Sequence, residues 1–527
     1  MRVLITDPLS PVALKLLAEA GFEADVQLKK TPEELKELAK CADGWIIRSG
    51  TQITEDLIIA ADQLKVIGRA GVGVDNIDLA AATRKGVLVV NAPDGNTIST
   101  AEHTCAMILA LVRRIPRAAL SLAGGAWERK QFSGAELDGK TLGVVGVGKI
   151  GRAVARRMQA FGMRVIGFDP VLAAETAERL GIELVPLEHI WAESDVITFH
   201  TPLNDTTRGL LNEETLAQCK DGVRVVNIAR GGIIDEQALL GALETGKVAG
   251  AALDVYSQEP PPAELATLLA HPAVVATPHI AASTGEAQEK VAIQIVDQVV
   301  RALRGEPVAT PVNAGAMRMA AQPEVAPYIN LAERLGCLGA QLVEGSVERV
   351  TVECTGDVVA HYADVVTEAV LVGVMRRWSE APVNLVNAST LAREMGLHVE
   401  ELRRSEGGEY SNEIALTMKT SAGARTVRGT ILGPDEIRLV GFDDYPIEVR
   451  LEGHFLFYQN VDRPGMLAAV GALLAEANVN IAGLTLGREA RGSMALTVLA
   501  TDEPIPSDLL EQIADLADVH DVIVATV

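Results

Sequence analysis

Three glycines, Gly146, Gly148 and Gly151, follow the apolar run Thr141–Val145 in a G-x-G-x-x-G spacing, and Asp169 ends the next apolar run roughly twenty positions later. Each of these residue types has a task when the ligand is a dinucleotide. The first glycine permits a tight turn, the second lets a pyrophosphate approach the backbone, and the third lets helix and strand pack closely. A helix opening there presents free N–H groups and a partial positive charge to the pyrophosphate. An aspartate at the end of the second strand accepts hydrogen bonds from adenosine ribose hydroxyls and repels a 2′-phosphate. No arginine follows Asp169 directly, Pro170-Val171-Leu172 coming next, so NAD is favoured over NADP. The glycine spacing alone is weak evidence; its place between strand and helix, with the acid behind it, makes it specific.

Downstream lie residues suited to oxidising a small hydroxy acid by hydride transfer: Arg230 in VVNIARGGIID, Glu259 in LDVYSQEPPP and His279 in ATPHIAAST. Arginine can grip a carboxylate through two parallel hydrogen bonds. Histidine can take and return a hydroxyl proton near neutral pH, and a carboxylate beside it favours imidazolium and orients the ring. Singly, each has a plainer reading as a surface cation, a turn carboxylate or a loop histidine. Each follows a strand-like run, however, and strand carboxyl ends face the ligand crevice of an open α/β sheet. Behind a dinucleotide fingerprint they read together as a catalytic set. Arg48 in RSGT and Arg69 in RAGVGVD also follow apolar runs; by themselves they are as readily solvated loop charges as ligands of an anion.

Such residues need sheets to hold them. Segments 2–6, 23–26, 44–47, 65–68 and 88–91 read as strands alternating with amphipathic helices. One helix spans 31–40, with Thr31 as cap, Pro32 at its first position and Glu34 completing a capping box. A second series has strands at 141–145, 164–168, 196–199, 224–227, 250–253 and 274–276, then a long helix over 286–303 stopped by Arg304-Gly305-Glu306-Pro307. Alternation of this kind implies parallel sheets covered on both faces. Beyond Pro311 the pattern changes to a helix at 328–344, a strand at 347–353, a helix at 362–378 and strand-like runs at 414–419 and 426–431. The last block reads β-α-β-β-α-β from 454 to 527, the ferredoxin-like order.

The chain has 527 residues, 48% of them hydrophobic, enough for several cores. Its net charge is −23 and no basic stripe is present, which argues against a nucleic-acid surface. Cys41, Cys105, Cys219, Cys337 and Cys354 form no metal spacing and read as reduced thiols in a cytoplasmic protein. The sequence opens on an apolar strand without a basic leader, so no export signal is expected. The uncharged stretch 265–285 contains Pro272, Pro278, His271 and His279, which suits a loop and a short strand rather than a membrane span. Of the other histidines in this half, His103 reads as a buried helix residue, and neither it nor His200 is expected to do chemistry.

GVGKIG, NIARGGIIDE, ALDVYSQEPP and TPHIAAST, in that order, resemble the signatures of the D-isomer-specific 2-hydroxyacid dehydrogenase family over about residues 1 to 312. The resemblance implies that Arg230 binds the substrate carboxylate and that His279 is an acid/base paired with Glu259. It places Lys149, Ile150, Thr201, Ile228, Ala229, Arg230, Asp254 and His279 beside NAD, Asp254 near the nicotinamide carboxamide. It also implies a Rossmann-type NAD domain (99–285) inserted in a flavodoxin-like substrate domain (1–98 and 286–312), with the cleft between them. Two departures stand out: Ala281 where the family often has glycine, and the stretch PPPAELATLLAHPAVVATPH.

RSGT, GRAGVGVDNID and NAPDGNTISTAEHT look like the phosphoglycerate dehydrogenase branch. That implies D-3-phosphoglycerate held against Arg48, Ser49, Arg69, Asn96 and Arg230, with Arg129 a candidate from a neighbouring subunit. NVDRPGMLAAVGALLAEANVNIAGLTL resembles an ACT domain (453–527). It implies an amino-acid effector, L-serine, held by Asn460, Asp462 and Asn480 across a dimer interface; read alone, Asp462 is a helix cap. Residues 313–452 resemble the α+β intervening domain of the long members in arrangement, and a homotetramer is the family expectation. Two alternatives stay open at this point: a dehydrogenase for 2-oxoglutarate, hydroxypyruvate or glyoxylate, and a non-catalytic NAD(H) sensor.

Overall fold

The first five apolar runs pair as one parallel sheet in the order Glu23–Val26, Arg2–Ile5, Gly44–Ile47, Val66–Arg69, Leu88–Asn91. This is the flavodoxin order. The structure is a computed structural model that describes residues 1–527 except 321, 380, 381, 407, 434, 489 and 491. Every residue of Gly44–Ile47 is buried, because a central parallel strand is covered on both faces and shows no alternation. Thr31 and Glu34 form the expected reciprocal cap on the helix Pro32–Ala39. The helix Gly285–Leu303 returns to cover this first sheet. Its Val299 and Ile295 lie so near Gly68 that a Cβ there would stand 2.6 and 3.0 Å from them. The chain that builds the second sheet is thus threaded between two segments that build the first.

The second sheet has seven parallel strands, in the order Val274–Ala276, Val248–Leu253, Val223–Asn227, Val196–Phe199, Thr141–Val145, Arg164–Phe168, Glu183–Leu184. The order reverses between Thr141–Val145 and Val196–Phe199, the switch point where a ligand crevice opens. Two features differ from expectation. Glu183–Leu184 is too short to show a pattern, and part of the uncharged stretch forms the helix Ala266–Ala270.

A mixed six-stranded sheet follows, ordered His398–Arg404, Val347–Thr355, Glu413–Thr420, Gly423–Leu432, Glu436–Phe442, Tyr445–Arg450. The helix expected over 362–378 is shorter, Ala363–Met375, and is preceded by Asp357–His361. The last sheet is antiparallel, ordered Ile481–Arg488, Met494–Thr501, His454–Val461, Val519–Thr526, as the ferredoxin-like pattern requires. Phe455 and Phe457 share one core with residues of the six-stranded sheet, and Phe457 stacks on Phe442 at 5.2 Å between centroids. Asp462 does not cap the helix Met466–Glu476; Gly465, at φ 99°, starts it without a side-chain cap. Asp462 accepts from Arg488 instead, an ionic partner that outcompetes the neutral N–H groups of the helix end.

All five cysteines are free thiols. Among the described residues no helix is long and apolar enough to cross a membrane, and no group of three or more His, Cys, Asp or Glu could hold a metal ion.

Candidate active site

The glycine turn is built by close approach. Gly146 has φ 93°, and a Cβ on it would lie 2.6 Å from the His200 carbonyl oxygen; a Cβ on Gly151 would lie 2.1 Å from the Gly146 oxygen. Gly148 has nothing within 4 Å of its Cβ position and stands as N-cap of the helix Lys149–Gln159, with Lys149 and Ile150 opening the first turn. Two glycines therefore serve the fold and the middle one leaves room for a ligand. Asp169 accepts from Val147 N at 2.9 Å and from Val171 and Leu172 N at 2.9 and 3.0 Å, so it also stiffens the turn. Thr201 Oγ1 is buried beside Gly146 without a partner among the described residues. These residues fit a dinucleotide: an open glycine at a helix N-terminus, an acid on the next strand and an orphaned hydroxyl between them.

On the neighbouring strand ends, Ile228 is buried and Ala229 half-buried. Asn227, buried and unremarked in the sequence, accepts from Ala229 N at 3.1 Å and donates to Arg230 O at 2.9 Å, which fixes the turn that carries Arg230.

His279 Nδ1 lies 2.6 Å from Glu259 Oε2. Glu259 Oε1 accepts from Tyr256 N at 3.2 Å. Burial pulls the Glu259 carboxyl upward, but the hydrogen bond and charge of His279 and the Tyr256 N–H hold it below the usual carboxylate range. With Nδ1 engaged, Nε2 of His279 has no partner among the described residues and is the nitrogen available to substrate. His279 adopts φ 51°, an uncommon conformation for a non-glycine residue. The Asp254 carboxylate, fully buried, secures that loop: it accepts from Thr277 Oγ1 at 2.6 Å, Ile280 N at 2.9 Å and Ala281 N at 3.0 Å. Its pKa is lowered; burial opposes this, and hydrogen bonds led by His103 and Thr277 prevail. His103 is only half-buried and stands 3.5 Å from Asp254 Oδ1, so it joins this network rather than the core alone. Positive φ falls on His279 and not on Ala281, which explains how alanine is accommodated there.

Arg48, Ser49, Arg69, Asn96, Arg230 and His279 line one pocket between the first two sheets. Asp7 Oδ2 accepts from Arg48 and Thr51 N at 2.6 and 3.1 Å, while Asn76 Nδ2 donates to Arg48 and Thr51 O at 2.7 and 2.6 Å. Arg69 Nε and Asn96 Oδ1 are buried without hydrogen-bond partners among the described residues. Burial, then the nearby Arg230 charge, pushes the Arg69 guanidinium down to about 10, so it remains a cation at neutral pH. Arg230 Nε donates to Asp75 Oδ2 at 2.9 Å, and Lys149 pairs with Asp94, both bonds crossing from the second sheet to the first. Asp7, Asp75, Asn76 and Asn227 were missed by sequence reasoning; the only signal was polar side chains beside glycines or strand ends with no helix to cap. Arg129 lies on the turn Arg129–Phe132, outside this pocket's lining.

The three residues expected to hold an effector do not meet in one chain. Asn460 is buried and accepts from Thr497 Oγ1 at 2.9 Å, next to the Asp462–Arg488 pair. Asn480 donates to Asp502 Oδ2 at 2.6 Å beside Ile481, which pairs with Thr501, whereas Val461 pairs with Met494 at the other end of the sheet.

Residues 105–281 match the family model of the D-isomer specific 2-hydroxyacid dehydrogenase NAD binding domain. Residues 324–443 match that of the D-3-phosphoglycerate dehydrogenase intervening domain, and 454–518 that of the ACT domain. The chain is 40% identical over 518 residues to the D-3-phosphoglycerate dehydrogenase of Bacillus subtilis (strain 168), covering 98% of each. It is 44% identical over 492 residues to the D-3-phosphoglycerate dehydrogenase of Homo sapiens, covering 91% of each. Among solved structures it is similar to D-lactate dehydrogenase from Aquifex aeolicus complexed with NAD and lactic acid, at 31% identity and a TM-score of 0.53 over 58% of this chain and 96% of that one.

Proposed function

Because this chain belongs to the D-isomer-specific 2-hydroxyacid dehydrogenases, in their D-3-phosphoglycerate dehydrogenase branch, we propose how its residues carry out the NAD-dependent oxidation of D-3-phosphoglycerate to 3-phosphohydroxypyruvate. The observation that carries the assignment of roles is a single pocket lined by Arg48, Arg69, Arg230 and His279, the histidine being paired with Glu259 behind it. Arg230 holds the substrate carboxylate. A doubly charged phosphate accounts for Arg48 and Arg69, and the unpartnered Arg69 Nε and Asn96 Oδ1 are the polar atoms left for substrate. His279 Nε2 takes the C2 hydroxyl proton, and the anionic Glu259 stabilises the imidazolium that results. When bound, NAD supplies the acceptor for the hydride that leaves C2. Gly146, Gly148, Lys149, Ile150, Gly151, Asp169, Thr201, Ile228 and Ala229 form its cradle. Asp254 acts on the same site by holding the loop of His279.

The reaction is the first step of L-serine biosynthesis, and L-serine is the effector of the C-terminal sheet. With Asn480 at the opposite end from Asn460 and Asp462, a site using all three takes them from two copies. The edge strand Ile481–Arg488 supports such pairing, since Ile481, Leu484 and Leu486 are exposed on it. A second assembly surface is the helix Ile115–Ala123, which buries no residue, followed by Trp127 at 77% exposure. Two different self-complementary surfaces make a closed tetramer, and the second is where Arg129 of another copy would approach. Free thiols throughout support a cytoplasmic setting. We assign the four units as 1–98 with 286–312, 99–285, 313–452 and 453–527.

The test follows NADH oxidation with 3-phosphohydroxypyruvate beside hydroxypyruvate and 2-oxoglutarate, each with and without L-serine. Strong preference for the phosphorylated acid, slowed by serine, is expected. Equal turnover of unphosphorylated acids would overturn the arginine assignment, and indifference to serine would overturn the effector.

A further inference from the structure

Asp75 lies in the glycine loop after Val66–Arg69 on the first sheet, and Arg230 on the turn after Val223–Asn227 on the second; their side chains meet at 2.9 Å between Nε and Oδ2. We infer that Asp75 is the positioning residue for Arg230, fixing the guanidinium across the cleft so that its remaining N–H groups face the substrate carboxylate. The inference rests on the reading of Arg230 as the carboxylate-binding residue and says what makes that grip directional.

A guanidinium has five N–H donors. Here Nε is held by Asp75, and Nη1 donates to the main-chain oxygen of Ala229 at 2.7 Å. Those two bonds set the plane of the group, and among the described residues Nη2 has no hydrogen-bond partner. Gly73 clears the space for this arrangement: a Cβ on it would stand 1.7 Å from Arg230 Nη2 and 2.7 Å from Asp75 Oδ2. The neighbouring Asn76 points the other way and holds the Arg48 and Thr51 carbonyls. Consecutive side chains thus tie both anion-binding walls of the pocket to one short loop. Asp75 also places a carboxylate, the only one bonded to Arg230 among the described residues, beside three mutually repelling cations, Arg48, Arg69 and Arg230.

Exposure decides what the pair is for. The Asp75 side chain is 57% exposed and that of Arg230 27%. Ion pairs this open contribute little to stability, so the value of the contact lies in orientation, which matters for a bidentate grip. A rival role would have Asp75 stand in for the substrate carboxylate and be displaced by it; the two roles predict opposite changes in KM.

The experiment compares wild type, Asp75→Ala and Asp75→Asn for kcat and KM with 3-phosphohydroxypyruvate, NADH affinity by fluorescence titration, and melting temperature. We expect Asp75→Ala to raise KM about tenfold or more and to lower kcat, with NADH affinity and melting unchanged. Asp75→Asn, which keeps an acceptor for the Nε–H, is expected to recover part of the loss. Unchanged or lower KM in Asp75→Ala, with an active wild type, overturns the inference, as does loss of NADH affinity in parallel. A wild type that ignores the phosphorylated substrate overturns the underlying reading instead, so the two failures are distinct.

Discussion

The Asp254 carboxylate reaches the Ala281 N–H at 3.0 Å and so anchors the loop in which His279 keeps its left-handed backbone. Asp254→Ala would leave the N–H groups of Ile280 and Ala281 and the Thr277 hydroxyl without their buried acceptor. Urea unfolding should show a loss of about 3 kcal/mol, accompanied by a fall in kcat as His279 loses its registration. Asp254→Asn should rescue poorly, since an amide NH2 would face a backbone donor in place of one acceptor oxygen. An Asn variant of wild-type stability and kcat would contradict the anchoring role.

Glu259 is held below the usual carboxylate range, burial opposing and the His279 contact prevailing. Its depressed folded pKa makes it a stabilising anion above its unfolded value near 4.5, a contribution lost as pH falls through the lower folded value. Glu259→Gln removes the anion but keeps an oxygen for His279. On the order of a hundredfold loss in kcat is expected, with the acid limb of kcat/KM displaced in the pH–rate profile. A variant with wild-type rates would show that the imidazolium needs no counter-charge.

Much of this is legible in the sequence, and the exceptions have physical causes. Buried parallel strands such as Gly44–Ile47 and Thr141–Val145 are continuous apolar runs, so they announce themselves. His398–Arg404, sequence HVEELRR, buries none of its residues and gave no signal. Arg230, Glu259 and His279 were visible because each ends a strand or follows one. Asp75 was not, because its partner is 155 positions away and nothing local marks it. Asp462 misled for a related reason: a nearby helix invited capping, while Arg488, 26 positions on, took the carboxylate.

His200 carries a pH dependence of the fold itself. Its Nδ1 is sealed from solvent without a partner among the described residues, and burial pushes the imidazole down to about 3. Between pH 6.5 and 3 the unfolded chain binds a proton that the folded chain refuses, so stability rises with pH across that window. At pH 5 this costs about 2 kcal/mol relative to pH 8. Urea midpoints of the NAD-free protein at the two pH values should show it, and His200→Gln should flatten the difference. Equal slopes in the variant and wild type would remove His200 as the source.

Alanine substitutions three positions apart in the glycine turn should separate folding from cofactor binding. At Gly151 a Cβ would press 2.1 Å from the Gly146 oxygen, a backbone atom that cannot step aside. Gly151→Ala should therefore cost about 1–3 kcal/mol of stability, as overpacking does, whether or not NAD is present. Gly148 has φ −72° and open space around its Cβ position. Gly148→Ala should melt within about 0.5 kcal/mol of wild type. Its methyl group would nevertheless occupy the face by which a pyrophosphate meets the helix N-terminus, so NADH affinity should fall at least about tenfold by fluorescence titration. Full NADH affinity in a well-folded Gly148→Ala variant would place the pyrophosphate elsewhere; loss of folding there would mean that the middle glycine serves the turn and not the ligand.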